Sequence, residues 1–378
     1  MKRMKCWDAI IAGAGIVGLS LAIELRKTGL SVLIVDKGKP GREASWAAGG
    51  MLADCPLEIP DALVPLAKAS ARMYPEFVHE LEDESGKKID LREDGTLLFP
   101  HDDASLDWPK SLGEAPARRP PAEWRELEHN LEAAGSAFSL RERSVDPRHI
   151  VSAAIRAARH RGVDFSSGDQ VLAIEVADGK VAGARTDKTR FAASIVINCS
   201  GAWAGQIGVE SRTGTRVAPA RSRHLARVLI PTRPVKGQML CVVMPEKNLL
   251  RHVIRHPDVY LIPRSDGRLL IGATQEEAGF DKQTVPETIQ KLRQAALKLV
   301  PRLAGARILE AWAGLRPGTP DNLPILGATA TPGYFVATGH FRDGILLAPA
   351  TAKVMAQVIT GHAPDLELTA FSPQRFFH

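Results

Sequence analysis

The 378-residue chain has few of the residues that staple or anchor a fold from outside. It holds four cysteines, Cys6, Cys55, Cys199 and Cys241, far apart and with no C-x-x-C pair or metal-ligand spacing to a histidine. That excludes a disulfide framework and a zinc module and predicts reduced thiols in a cytoplasmic protein with no bound metal. Aromatic residues make up only 5%, and three of them are tyrosines. No internal repeat or low-complexity tract stands out, so a solenoid is excluded. Long apolar runs are missing too. Residues 9–23 are uncharged, but fifteen residues are too few to cross a bilayer. The same run continues into Glu24 and Arg26 at helical spacing with no small-residue cleavage site, unlike a signal peptide.

Acidic residues are missing from one stretch. Residues 211–245 carry seven Lys/Arg and no Asp or Glu, within a chain of net charge +6. No organised basic face or nucleic-acid module accompanies them, which predicts a solvated loop and no nucleic-acid partner. Hydrophobic residues at 44% and charged residues at 24% are ordinary for a soluble globular chain. The length predicts two domains, or one large α/β unit with an insertion.

What is present begins at once. Residues 7–12 read as a buried strand, followed directly by Gly13-Ala14-Gly15-Ile16-Val17-Gly18, a helix to Lys27 closed by Gly29, and a second strand over 31–35 ending at Asp36. This is a complete β-α-β unit with an acid 23 residues after Gly13. Gly13 permits the tight turn, Gly15 lets a pyrophosphate approach the backbone, and Gly18 lets helix pack on strand. The helix N-terminus, with Ile16 and Val17, offers free N–H groups to phosphates, and Asp36 and Lys37 stand where an adenosine ribose would lie.

Further along, the spacing predicts helices over 61–84, 121–134, 147–161, 285–299 and 346–359, with Asp146 as an N-cap. Strands are predicted around the turn Asp94-Gly95, over 163–165, 170–176, 181–186 and 191–199 with a hairpin at Asp178-Gly179, and over 238–244, 252–262, 268–273, 308–315 and 334–338. Strand–glycine–helix elements thus recur at 191–208 and 334–360, with antiparallel-looking segments between them. That predicts an α/β fold with a discontinuous nucleotide domain, residues 1–87, 144–210 and 312–378, and a sheet-rich substrate domain inserted as 88–143 and 211–311.

Three blocks carry a family resemblance. They are Arg42-Glu43-Ala44-Ser45-Trp46-Ala47-Ala48-Gly49-Gly50-Met51-Leu52, then Trp312-Ala313-Gly314-Leu315-Arg316-Pro317-Gly318-Thr319-Pro320-Asp321, and the block that opens Gly339-His340-Phe341-Arg342-Asp343-Gly344-Ile345-Leu346. The chain resembles the amine and amino-acid oxidases of the D-amino-acid oxidase type. Within that group it looks most like the glycine oxidases of thiazole (thiamine) biosynthesis. The resemblance runs from residue 8 to about 361, with gaps at 100–130 and 211–234.

The resemblance implies a Rossmann-like FAD-binding domain with an inserted antiparallel-sheet substrate domain. It also implies non-covalent FAD, since neither Cys199 nor Cys241 sits in the C-terminal glycine block. The implied activity is oxidative deamination of glycine, a small amine or a D-amino acid, with O2 reduced to hydrogen peroxide. A flavin dehydrogenase passing electrons to a quinone or a protein is the alternative of the same fold, and a non-catalytic nucleotide-binding module is the alternative of another class. Members of the family are commonly multimers; the sequence leaves the oligomeric state open.

The implied flavin contacts are the first glycine turn with Asp36 and Lys37, then Ser45, Ala47, Ala48, Gly49, Gly50 and Met51, then Val171, Gly201 and Trp203, and finally His340, Phe341, Arg342, Asp343, Gly344, Ile345 and Leu346. The helix after Gly344 would aim its positive end at the flavin edge where charge develops. Hydride chemistry resides in a flavin, so no catalytic side chain is implied. A substrate carboxylate calls for a bidentate arginine, and Arg316 matches the family's clamp, with Tyr260 on a strand beside it. The alternative for Arg316 is an ion pair with Asp321, and for Tyr260 a core position. Arg342 is implied to hold the substrate amine through its carbonyl. Gln275 stands where the family commonly has a pocket-lining Met, and Asp258 where it commonly has His. A polar Gln275 in the pocket would shift substrate preference.

Overall fold

The structure, a computed structural model, describes residues 6–55, 58–100, 115–211 and 230–376. The core of the basic stretch (212–229) and residues 101–114, within the first gap in the resemblance, lie outside the described residues.

Strand Cys6–Ala12 is apolar almost throughout because strands flank it on both sides and helices cover the sheet. It runs parallel to Val32–Asp36 on one side and to Arg190–Asn198 on the other. Asp164–Ser167 extends the sheet beyond Val32–Asp36, and Tyr334–Thr338 pairs in parallel with Arg190–Asn198. Helices Ile16–Lys27, Val64–Ser85, Pro147–His160 and Gly344–Ile359 pack together against this sheet. Asp146 caps its helix as expected: its Oδ1 accepts from the N–H of Arg148 at 2.8 Å. Its Oδ2 accepts from Arg268 at 2.6 Å, which ties this helix to the second sheet.

Among the described residues that second sheet has eight strands, in the order Arg307–Gly318, Arg233–Val243, Arg268–Gly272, Val259–Pro263, Val253–His256, Thr96–Leu98, Ala137–Leu140 and Ala117–Arg119. Its pairings are antiparallel except one, between Val253–His256 and Thr96–Leu98. Helix Pro286–Leu299 closes one face over an apolar core containing Leu240, Leu261 and Ile271. The other face looks toward the nucleotide half. A small three-stranded sheet, Met51–Leu52, Arg143–Val145 and Leu91–Arg92, lies apart from both large sheets.

Several expectations are corrected. The helix expected over 121–134 spans only Pro121–Leu127. Glu128 ends it by turning its carboxylate inward, where it accepts the N–H groups of Arg251 and His252. The single strand expected over 252–262 is a hairpin, Val253–His256 and Val259–Pro263, turning at Pro257-Asp258. Strand Arg307–Gly318 is continuous across residue 311, so the expected boundary at 311/312 cuts through one element of the second sheet. Strands Ala137–Leu140, Arg143–Val145 and Ile325–Ala328 are short pieces that periodicity did not predict. Among the described residues no helix is long and apolar enough to cross a membrane.

Candidate functional site

A cavity of about 680 Å3 runs from the turn after the first strand to the inner face of the second sheet. Gly13, Gly15, Ile16, Val17, Asp36, Lys37, Ser45, Val171, Gly201 and Trp203 line its nucleotide-side part. Ala47, Ala48, Gly49, Gly50 and Met51 lie along it, as do Tyr260, Arg316 and the segment His340, Phe341, Arg342, Asp343, Gly344 and Ile345. Most of the residues named from sequence therefore share one hollow. Gly18, Leu346 and Gln275 do not line it.

The nucleotide end fits a dinucleotide by shape. Gly13 has φ +107°, and a Cβ there would lie 2.5 Å from the carbonyl oxygen of Cys199. A Cβ on Gly18 would lie 2.1 Å from the carbonyl oxygen of Gly13, so its role is helix–strand packing and not contact with a ligand. A Cβ on Gly15 would meet only the Ser45 hydroxyl, at 3.3 Å; otherwise it would project into the cavity. Ser45 Oγ accepts the N–H of Ile16 at 3.0 Å, which leaves its own proton free for a phosphate. Asp36 is used twice by the fold: its oxygens accept the N–H groups of Ala14 at 2.7 Å and Gly38 at 2.8 Å. A carboxylate has further lone pairs for a ribose. The Lys37 ammonium sits 3.0 Å from the centre of the Trp203 ring.

The middle of the cavity is a backbone wall. The Trp312 indole donates to the Ala47 carbonyl at 3.0 Å, and the buried Arg264 guanidinium donates to the Gly49 carbonyl. A Cβ on Gly314 would lie 2.4 Å from the Cβ of Ala47, so loop and strand are in close contact. Opposite, helix Gly344–Ile359 begins with Leu347 donating to the Asp343 carbonyl. The N–H groups of Gly344, Ile345 and Leu346 thus have no helical acceptor, and the first two residues face the cavity. Leu346 is buried away from it, its carbonyl accepting from Ser70 at 2.6 Å. Burial pushes the His340 imidazole down to about 4, so it is neutral; its Nε2 lies 3.1 Å from Thr351 Oγ1 and braces the helix. A smooth wall, a phosphate turn and an unspent helix N-terminus match the three parts of an FAD. The bound flavin would supply a two-electron acceptor.

The far end fits a carboxylate. Arg316 Nη1 donates to the Thr274 carbonyl at 3.0 Å, which fixes the guanidinium against Gly237. Tyr260 lies beside it; burial raises its phenol above the ordinary value, and Arg316 opposes that shift, so the hydroxyl remains a donor at neutral pH. Asp321 pairs with Arg375 at 2.8 Å and not with Arg316.

Gln275 is a correction: its side chain is exposed. After Arg268–Gly272 the chain rejoins strand Arg233–Val243 at a bridge between Glu276 and Lys236. Thr274 Oγ1 accepts the N–H of Gln238 at 2.9 Å, and Glu276 exchanges backbone bonds with Lys236 at 2.9 Å. Gln275 between them points outward, and Met239 and Met51 supply thioethers to the cavity. Gln275→Met should therefore leave the ranking of amino-acid substrates unchanged, within about 0.5 kcal/mol in relative kcat/KM. A larger reordering would place the side chain inside.

Sequence reading missed Arg255, His256, Glu58, Phe99 and Met239, all of which line the cavity. One signal was available: once 252–262 is folded into a hairpin, Arg255 falls opposite Tyr260. His256 lines the cavity and Asp258 is exposed in the turn.

Residues 8–358 match the family model described as FAD dependent oxidoreductase. Over 96% of its length the chain is 31% identical to a glycine oxidase of Pseudomonas aeruginosa, covering 98% of that protein. It is 34% identical to the bifunctional protein ThiO/ThiG of Synechocystis sp. over 98% of its own length. It spans 54% of that longer relative. The crystal structure of glycine oxidase from Geobacillus kaustophilus superposes with a TM-score of 0.87 at 31% identity, covering 98% of both chains. With the dinucleotide turn, the backbone wall and the helix N-terminus all on one cavity, the chain belongs to the FAD-dependent oxidoreductase family of the D-amino-acid oxidase type.

Proposed function

We propose that the protein oxidises glycine or another small amino acid to its imine, which water converts to the oxo acid and ammonia, with O2 as the final acceptor and hydrogen peroxide as product. The observation that carries this reading is the pairing of Arg316 with Tyr260 on the cavity that the Ala47–Gly50 wall borders. Arg316 and Tyr260 bind the carboxylate, and the wall would back the ring system of a bound flavin. Positioning of this kind is the main work left to the protein when the cofactor takes the hydride.

The test uses the purified holoenzyme. Glycine, sarcosine and D-alanine are added without oxygen, and the visible flavin absorption is followed. At least one should bleach it, and a carboxylate-free amine should do so far more weakly. Admitting air should restore the colour with one equivalent of peroxide. Bleaching without peroxide would overturn the oxidase assignment, and no bleaching by any amino acid would overturn the substrate class.

A further inference from the structure

We propose that Asp343 accepts the proton that the substrate ammonium group must lose before its Cα–H can leave as hydride. This rests on the amino-acid reading above. Asp343 stands at the N-cap of helix Gly344–Ile359, where an aspartate ordinarily caps the first turn, yet its side chain makes no cap bond. Among the described residues its carboxylate has no hydrogen bond or ion pair of its own, and it lines the cavity. A carboxylate that the fold does not use, on the wall of the cavity, calls for a chemical role.

Its neighbours supply the charge balance. Arg342, next in the chain, donates to the Glu58 carbonyl at 3.0 Å and also acts electrostatically on Tyr260. Arg255 binds the carboxylate of Glu58 and, at 2.7 Å, that of Glu142. The groups acting on Asp343 are thus Arg342 and Arg255, which favour its ionised form, and Glu58, which opposes it. His340, whose carbonyl accepts the Asp343 N–H, is neutral. Arg255 also acts on Glu142 and Asp54, so the carboxyl groups of this cluster outnumber Arg342 and Arg255. Burial is the largest influence on Asp343 and pushes its carboxyl up to about 6. At pH 7 it is ionised and ready to accept a proton. Arg342 bridges this cluster to the clamp end of the cavity.

The step balances. The ammonium nitrogen gives one proton to the Asp343 carboxylate, producing a neutral amine and a carboxylic acid. With its lone pair free, the amine can form the C=N bond as Cα loses its hydrogen with the bonding electron pair, for which a bound oxidised flavin would be the acceptor, and the product is a protonated imine. Asp343 returns its proton to water before the next turnover.

Two measurements test this. In anaerobic stopped-flow experiments with glycine, wild-type flavin reduction should stay nearly level from pH 7 to 9 and fall below about 6. In Asp343→Asn the rate should drop on the order of 100-fold at pH 7 and climb with pH as free glycine loses its own proton. A uniform loss at every pH would mark a structural role and overturn the proposal. The second measurement needs no turnover. 2-Aminoisobutyrate has no α-hydrogen and cannot be oxidised, so its binding to the holoenzyme at pH 7.5 should raise a carboxylic-acid C=O band in the difference infrared spectrum. That band should be missing in Asp343→Asn. Its absence from the wild-type complex, or its survival in the variant, would overturn the assignment to Asp343. If glycine and its analogues fail to perturb the flavin at all, the substrate reading fails first, and the two failures are distinct.

Discussion

Gly15→Val should fold and purify almost colourless. The prediction comes from comparing three glycines in one turn. At Gly13 a side chain would need both a backbone φ of +107° and room where the Cys199 carbonyl already lies. At Gly18 it would collide with the Gly13 carbonyl. Gly13→Ala and Gly18→Ala should therefore damage the fold itself, with loss of soluble protein or a large fall in Tm. Gly15 differs because its Cβ would meet only the Ser45 hydroxyl at 3.3 Å and would otherwise enter the cavity. Nothing in the apoprotein has to move far. A branched side chain would instead take the path of the pyrophosphate, costing about 3 kcal/mol or more of FAD affinity, over roughly 100-fold. The check is the ratio of visible to ultraviolet absorbance after purification, with far-ultraviolet circular dichroism as the control. A variant that keeps its fold and its full complement of flavin would remove the pyrophosphate from this turn.

The nucleotide half was legible because its physics is local. A strand, three glycines, a helix and an acid lie within about 30 consecutive residues, and each position has a steric reason that a sequence shows directly. The clamp was legible only through resemblance: nothing in the local pattern of Arg316 distinguishes it from a structural arginine, and the structure adds only that Asp321 pairs with Arg375. Gln275 failed for a different reason. The pairing of Thr274 with Gln238 and of Glu276 with Lys236 sets which side chains face inward, and one residue separates both from Gln275. Arg255, Glu58 and Glu142 come from three distant parts of the chain, on the hairpin, on a loop and after strand Ala137–Leu140. No spacing rule links them. Asp343 enters from the resemblance as one of the flavin contacts, and only the missing cap bond and the cavity single out its carboxylate.

Arg316→Ala should lower kcat/KM for glycine by roughly 2–5 kcal/mol, the range for losing one partner of a desolvated charge pair. The same variant should retain most of its weak activity on a carboxylate-free amine, because that substrate never used the clamp. Arg316 also binds the Thr274 carbonyl at 3.0 Å, so the variant loses about 1 kcal/mol of stability, visible as a modest fall in Tm. That second effect is why one substitution is not enough. Gly237→Ala offers the complementary test: its Cβ would lie 2.2 Å from Arg316 Nη1, so the guanidinium must shift while its charge stays. If the arginine works by holding the carboxylate in register, Gly237→Ala should also lose activity selectively on amino acids, though by less than Arg316→Ala. If charge alone recruits the substrate, Gly237→Ala should behave like the wild type. Equal losses on amino acids and on the plain amine, in both variants, would make Arg316 a support for strand Arg233–Val243 and leave the carboxylate to another residue.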